Sequence, residues 1–340
     1  MKVVIIGGVA GGASAAARLR RMDENAEIVL IEKSAYISYA NCGLPYYIGG
    51  VIHDRQKLFV QTPSSFRQRF QIDARISSEV IRIDRDRKSV LIKNLNSEET
   101  YEEHYDKLIL SPGAEPIRPP LPGLQLPGVF TLRNVADTDA IKKFTEGKSN
   151  AKAVVIGAGF IGLEMAENLH HLGMHVSVVE MASQILAPVD FAIAAIAQQH
   201  LRHKGLDLYL NTSMTGIRQE DSHLFVDLKE KESLEADIVI LSIGVRADTQ
   251  LAQSSGLELG PTKAIKVNEY LQTSDPDIYA LGDAIEFDHP ILHKSMPTYL
   301  AGPANKQGRI VADNIIFGNQ SKYKGAIGTA IVKLFDLTIA

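Results

Sequence analysis

Residues 2–12 read KVVIIGGVAGG, and residues 152–162 read KAVVIGAGFIG. Each stretch opens with a β-branched run suited to a buried parallel strand and closes in glycines. A helical pattern follows each, from Ala13 to Arg21 in the first case and through Leu172 in the second. A second apolar run then ends in an acid: Ile28 to Ile31 before Glu32, and Val176 to Val179 before Glu180. The chain therefore carries one βαβ design twice, about a domain apart. A dinucleotide loop needs one glycine for the tight turn, one for close approach of the pyrophosphate and one for helix–strand packing. An acid roughly 20 residues on takes the ribose hydroxyls. The second loop matches fully at Gly157, Gly159 and Gly162, with Ile161 inside it and Glu180 as its acid. The first has Gly7 and Gly12 in place, but Val9 holds the middle position. Gly8 and Gly11 keep that loop small, and Glu32 lies at the expected distance. A carboxylate at Glu180, with no arginine among Met181 to Ser183, predicts NADH over NADPH, with NADPH possible.

Composition narrows the class from outside. The 340 residues include one cysteine, so no intrachain disulfide, CxxC pair or cysteine-rich zinc site is available. Lys plus Arg is 36 against 40 for Asp plus Glu, which argues against a nucleic-acid protein working through a basic face. Charged residues at 22% and hydrophobics at 45% fit a folded chain of about two domains. No apolar run reaches the roughly 20 residues of a membrane span. The N-terminus reads as strand, turn and helix rather than a signal peptide, because glycine pairs and Arg18, Arg20 and Arg21 interrupt it. The expected location is cytoplasmic. Between the two loops, residues 75–110 read as short strands with charged turns, and 111–128 as a proline-rich crossing. Later come a strand from Asp237 to Ile243 ending at Gly244, a turn–strand–exit at 273–284, helical spacing at 304–317, and strand-like alternation over 327–340.

Two dinucleotide loops in one chain imply a relay between a tightly held cofactor and an exchanging one, and flavin with nicotinamide is the common pair. Asp283, after Gly282 at a strand end, suits a hydrogen bond from a flavin ribityl chain; it also suits a helix N-cap. Cys42 stands in SYANCGLPYY (38–47). A lone cysteine is often a small buried hydrophobe. Here Asn41 and Gly43 flank it, and a helix starting near Leu44 would lower its pKa and favour a redox thiolate. Both readings stand on the residues. Arg18 and Arg21 share a helix face, as a phosphate-binding pair or as a solvated basic face. The histidine pairs 170/171, 200/203 and 289/293 lack a third ligand, so no metal site is expected. No GxSxG elbow or Walker loop appears.

GGVAGG with Glu32, SYANCGLPYY, LILSPGA (108–114), GAGFIG, IGVRAD (243–248), IYALGD (278–283) and LAGPANKQGRI (300–310) follow one another in order. Together they resemble the single-cysteine FAD-dependent pyridine nucleotide–disulfide oxidoreductases, across the whole chain. Asn41, Cys42 and Pro45 resemble the coenzyme A–disulfide reductases and NADH-dependent persulfide reductases within that family. Peroxidase-type relatives carry a histidine where Ala10 stands. The resemblance implies an α/β protein of two Rossmann-like, doubly wound domains: an FAD domain over 1–112 and 245–318, an NAD domain over 113–244, and the start of an incomplete C-terminal dimerisation domain at 319–340. It implies that Cys42 forms a mixed disulfide with coenzyme A, with Asn41 orienting the sulfur. It implies FAD at Gly7–Gly12, Glu32, Lys33, Ala114, Gly282 and Asp283, and the nicotinamide cofactor at Gly157–Gly162, Glu180 and Gly244. It places the thiol substrate at Ser14, Arg18, Arg21, Ser38, Asn41 and Asn305. Asn305 stands where histidine can occur, and Phe70 where lysine can. The expected partner is a small thiol, disulfide or persulfide, with no nucleic acid or membrane, and a homodimer for a full-length protein. Three alternatives stay open: an NADH oxidase working through Cys42 sulfenic acid, a redox-silent FAD/NADH binder, and a reductase for an iron–sulfur protein.

Overall fold

The computed structural model describes residues 1–221 and 223–340. The chain divides into two compact units. The first comprises Met1–Tyr39, Phe59–Glu115 and Arg246–Gly328; the second comprises Ala40–Leu58, Pro116–Val245 and Thr329–Ala340. This differs from the sequence expectation in two places. The cysteine segment 40–58 groups with the second unit, and 319–340 is split between the two.

Each unit is built on a five-stranded parallel sheet. In the first the order is Ile278–Ala280, Lys107–Leu110, Lys2–Ile6, Glu27–Ile31, Asp73–Arg75. In the second it is Val129–Thr131, Ile238–Leu241, Lys152–Ile156, His175–Val179, Asp207–Tyr209. The glycine-loop strand is central in both, with the acid-ended strand on one side and a later strand on the other. That is the switch point of a doubly wound sheet, where ligands bind beyond the strand C-termini. The central strands are buried on both faces: Val3, Val4 and Ile5 are fully buried, as are Val154 and Val155. Runs without alternation are what such strands require.

In the first unit the helix Ala10–Met22 covers the sheet with Ala13, Ala15, Ala16 and Leu19. A second helix, Ala301–Phe317, packs on it closely, because a Cβ at Gly308 would lie 2.5 Å from the Gly11 carbonyl oxygen. Antiparallel three-stranded sheets flank the parallel ones, Ser78–Asp84 with Ser89–Asn94 and Thr100–His104 in the first unit. The second unit has Met214–Glu220 with His223–Leu228 and Leu234–Ala236. The alternation at 327–340 resolves into a hairpin rather than one strand. Val332–Leu334 pairs with Leu337–Ile339, and the chain reverses at Phe335 with φ +58°. Among the described residues no helix is long and apolar enough to cross a membrane.

Candidate active site

The two glycine loops repeat each other atom for atom in their main constraints. Gly7 has φ +94°, and a Cβ there would meet the Ser111 carbonyl oxygen at 2.0 Å. Gly157 has φ +102°, with the Ser242 carbonyl oxygen at 2.4 Å. A Cβ on Gly12 would lie 1.9 Å from the Gly7 oxygen, and one on Gly162 would lie 2.0 Å from the Gly157 oxygen. These four positions therefore exclude any side chain. Gly159 is different: its φ is ordinary, and no described protein atom lies within 4 Å of an added Cβ. Space there suits a ligand backbone rather than the protein.

The acids are pinned in the same way. Glu32 accepts from the Gly8 N–H (2.8 Å) and the Ser34 N–H (2.8 Å). Glu180 accepts from the Ala158 N–H (2.7 Å) and the Ala182 N–H (2.8 Å). Each carboxylate oxygen keeps a lone pair for a ribose hydroxyl. The helices Ala10–Met22 and Phe160–His171 start after Val9 and Gly159 with no side-chain cap and no acid in the first turn. Their first N–H groups remain available to a diphosphate. Both cradles thus fit a dinucleotide. Ile161 and Met181 are exposed beside the second.

Other first-unit positions frame the first loop. The Ser38 N–H donates to the Gly8 carbonyl at 2.8 Å, and Ser38 itself has φ +47°. Lys33 reaches Glu79 at 2.7 Å, and that partner raises its pKa. Ala114 is buried. Gly282 has φ +77° and donates its N–H to the buried Gln307 at 2.7 Å. Asp283 sits inside the 3-10 turn Gly282–Ala284, which is entered from Leu281, so the N-cap alternative is not what forms. Burial, and then the Asp283 charge, pushes the Tyr299 hydroxyl up. In the second unit Gly244 has φ +111°.

The expected thiol-site positions are only partly brought together. Ser14 donates to Asn305 Oδ1 at 2.8 Å, joining the two packed helices. Arg18 is held bidentately by Asp313, at 2.8 and 3.2 Å. Its charge is already matched, which corrects the picture of Arg18 and Arg21 as a free phosphate pair. Arg21 is exposed and lies over the Phe70 ring, 5.9 Å from its centroid.

Cys42 lies in the second unit on the 3-10 turn Asn41–Gly43, which runs directly into the helix Leu44–Ile48. Asn41 and Cys42 are exposed. The sequence expectation of a lowered thiol pKa is not met. Although the residue is exposed, desolvation by the surrounding protein pushes the thiol up, the charge of Glu164 pushes it further, and a backbone hydrogen bond offsets this only in part. Cys42 lies within the turn rather than ahead of a long helix, and five following residues add little dipole.

Two residues here were missed by the sequence reading. The Tyr46 hydroxyl donates to Glu164 Oε1 at 3.5 Å. Burial pushes Glu164 up to about 7, with Tyr46 opposing and Glu167 adding to the shift. Tyr46 itself is pushed up to about 12, first by burial and then by Glu164. The signal was present in a tyrosine next to NCGLP and a glutamate two residues after GAGFIG, but nothing local pairs them.

Two dinucleotide cradles, each on its own doubly wound sheet, with one exposed cysteine define a flavin- and pyridine-nucleotide-linked oxidoreductase. The family profile described as pyridine nucleotide-disulphide oxidoreductase matches residues 1–308, and the chain belongs to that family, which is FAD-dependent. A coenzyme A disulfide reductase of Staphylococcus aureus is 36% identical over 341 residues, covering 100% of this chain and 76% of that protein. The reduced CoADR-RHD crystal structure from Bacillus anthracis matches with TM-score 0.96 and 49% identity, over 99% of this chain and 60% of that one. The NAD-dependent persulfide reductase from A. fulgidus matches with TM-score 0.95 and 38% identity, over 99% and 63%. The chain thus spans less than two thirds of those two structures' length.

Proposed function

We propose that this protein passes electrons from NADH through FAD to a disulfide or persulfide engaged at Cys42, with coenzyme A disulfide as the leading substrate class. The observation that carries the reading is the chain's one cysteine, exposed on a short turn in a chain that also holds two dinucleotide cradles. Relatives named for coenzyme A disulfide and persulfide support the choice of sulfur substrate. The balance is NADH, one proton and a disulfide giving NAD⁺ and two thiols.

FAD belongs at the first cradle, with Gly7–Gly12 and the uncapped helix behind them under its diphosphate, Glu32 on the adenosine ribose, and Ala114, Gly282 and Asp283 along its length. Lys33 follows Glu32 at the same edge. When bound, the flavin accepts a hydride and returns two electrons to sulfur. NADH belongs at the second cradle, with Gly157, Gly159 and Gly162 under the diphosphate, Glu180 on the ribose, and Ile161 and Gly244 beside it. Glu180 repels a ribose phosphate, which favours NADH. Cys42 presents the sulfur, and Asn41 orients it. Ser14, Arg21, Ser38 and Asn305 are assigned to binding the thiol substrate, with Arg18 held in its pair with Asp313. A homodimer of the full-length protein and a cytoplasmic site of action complete the proposal.

Anaerobic NADH consumption with coenzyme A disulfide tests it. Wild type turns over and Cys42→Ser falls by at least about 10³-fold, the scale of removing a nucleophile. Equal turnover by the two contradicts the reading, and so does, in a separate aerated assay, oxygen uptake faster than the anaerobic disulfide reduction.

A further inference from the structure

The first cradle is assembled from two pieces far apart in the chain, the loop Gly7–Gly12 and the turn Gly282–Ala284, and one stretch of the helix Ala301–Phe317 touches both. Ala304, Gln307, Gly308 and Val311 are buried on that helix at the i, i+3, i+4, i+7 spacing of a single face. Gly308 sits against the loop: a Cβ there would lie 2.5 Å from the Gly11 carbonyl oxygen and 3.0 Å from the Ala15 nitrogen. Gln307, its neighbour, is 1% exposed and reaches the other piece, where its Oε1 accepts from the Gly282 N–H at 2.7 Å. The two pieces also meet directly, since a Cβ on Gly11 would lie 2.1 Å from Leu281 Cδ1.

Packing of Leu281 sets how near the turn stands to the loop, but not how the Leu281–Gly282 peptide is oriented. Gly282 has φ +77°. Glycine visits that region and its mirror about equally, so its own backbone does not select the observed conformation. The selection comes from outside, and the amide oxygen of Gln307 supplies it from a helix that is itself seated on the loop. Asp283, the next residue in the turn, takes its direction from the same peptide.

We propose that Gln307 is a positioning residue for the flavin: its bond to Gly282 holds the turn Gly282–Ala284 in register with the glycine loop, so that both pieces meet one ligand as a preformed site. The inference rests on reading the first cradle as the FAD site. A site whose contacting groups are held by a supporting layer loses less freedom on binding and so binds more tightly. Without the Gln307 oxygen, the Gly282 N–H is a buried donor left unpaired. With the cradle empty, the turn can swing toward water and satisfy that donor. With flavin in place it cannot, so the penalty falls on the bound state and is read as lost affinity.

The test is the FAD dissociation constant, read by flavin fluorescence as FAD is added back to the apoprotein, together with the melting temperatures of the empty and FAD-bound forms. Gln307→Met keeps the length of the side chain and removes the amide acceptor. It weakens FAD binding by at least about fivefold, the scale of one buried donor left unpaired. The FAD-bound form of the variant melts lower than wild type, while the apoprotein melts close to wild type. Gln307→Asn, which keeps the amide but withdraws it by one methylene, gives the same loss and serves should Gln307→Met fail to fold. A loss of FAD affinity below fivefold, or a melting temperature lowered equally in the empty and FAD-bound forms, overturns the proposal. Gly12→Ala, which blocks the loop itself, tests the cradle reading separately. FAD held by Gly12→Ala at wild-type affinity sinks that reading and the proposal with it. FAD released by Gly12→Ala but held normally by Gln307→Met sinks the positioning role alone.

Discussion

Gly12 and Gly159 lie in matching loops yet answer to different demands. A methyl on Gly12 would be driven into the Gly7 carbonyl at 1.9 Å, a backbone atom that cannot swing away. Gly12→Ala therefore costs about 1–3 kcal/mol through overpacking and releases flavin. A methyl on Gly159 meets no described protein atom within 4 Å, and the backbone there suits alanine. Gly159→Ala keeps its stability within about 0.5 kcal/mol, as surface substitutions do, and weakens NADH binding, because the new methyl occupies diphosphate space. Thermal melts and NADH titrations on both variants check the contrast. A Gly159→Ala protein that binds NADH normally contradicts the assignment of the second cradle. At this scale the sequence was largely readable. Glycine spacing and the acids Glu32 and Glu180 are local patterns, and the same local geometry appears in both units. Partners far apart in sequence were not readable. Nothing around Arg18 announces Asp313, and nothing around Tyr46 announces Glu164. Such pairs arise only when two helices pack.

Elements carry the next set of consequences. The segment 40–58 packs against the helix Phe160–His171 through Gly49, so Cys42 is positioned by the same unit that holds the second cradle. Packing also leaves Glu164 partly buried, with a folded pKa of about 7 against an ordinary 4.5. A carboxyl raised on folding contributes its stability below the ordinary value and loses it as pH rises through about 7. Glu164→Gln removes that dependence. Its melting temperature relative to wild type is thus expected to rise between pH 4.5 and 8, with the variant the more stable at pH 8. A difference that stays constant with pH contradicts the burial of this group. The 40–58 grouping was not legible in the sequence, because contiguity along the chain favoured the first unit and the close approach of Gly49 to Asn168 joins residues far apart in the chain. The C-terminal reversal at Phe335 was hidden for a related reason: an alternating pattern reads alike in one strand or a tight hairpin.

On the scale of the whole chain, one architecture appears twice. Four strands keep the same order in the two parallel sheets, the outer one being Ile278–Ala280, last in the chain, in the first and Val129–Thr131, first in the chain, in the second; the strands ending at Leu110 and Leu241 bring Ser111 and Ser242 to equivalent places under the first glycine of each loop. That duplication was the most legible feature of the sequence, and the family match confirms the class it points to. It also predicts cofactor preference. Glu180, held by two backbone N–H groups, cannot move aside for a ribose phosphate, so kcat/KM should favour NADH over NADPH by at least about tenfold, since one unfavourable charge contact of about 1.4 kcal/mol suffices. Equal efficiency with the two contradicts that placement of Glu180.

The central claim is that electrons leave the flavin through Cys42. Anaerobic spectral titration tests it most directly. NADH should bleach the yellow FAD-bound protein in both wild type and Cys42→Ser. Coenzyme A disulfide should then restore the oxidised flavin spectrum in wild type only. Recovery of the Cys42→Ser spectrum at the wild-type rate would contradict the account.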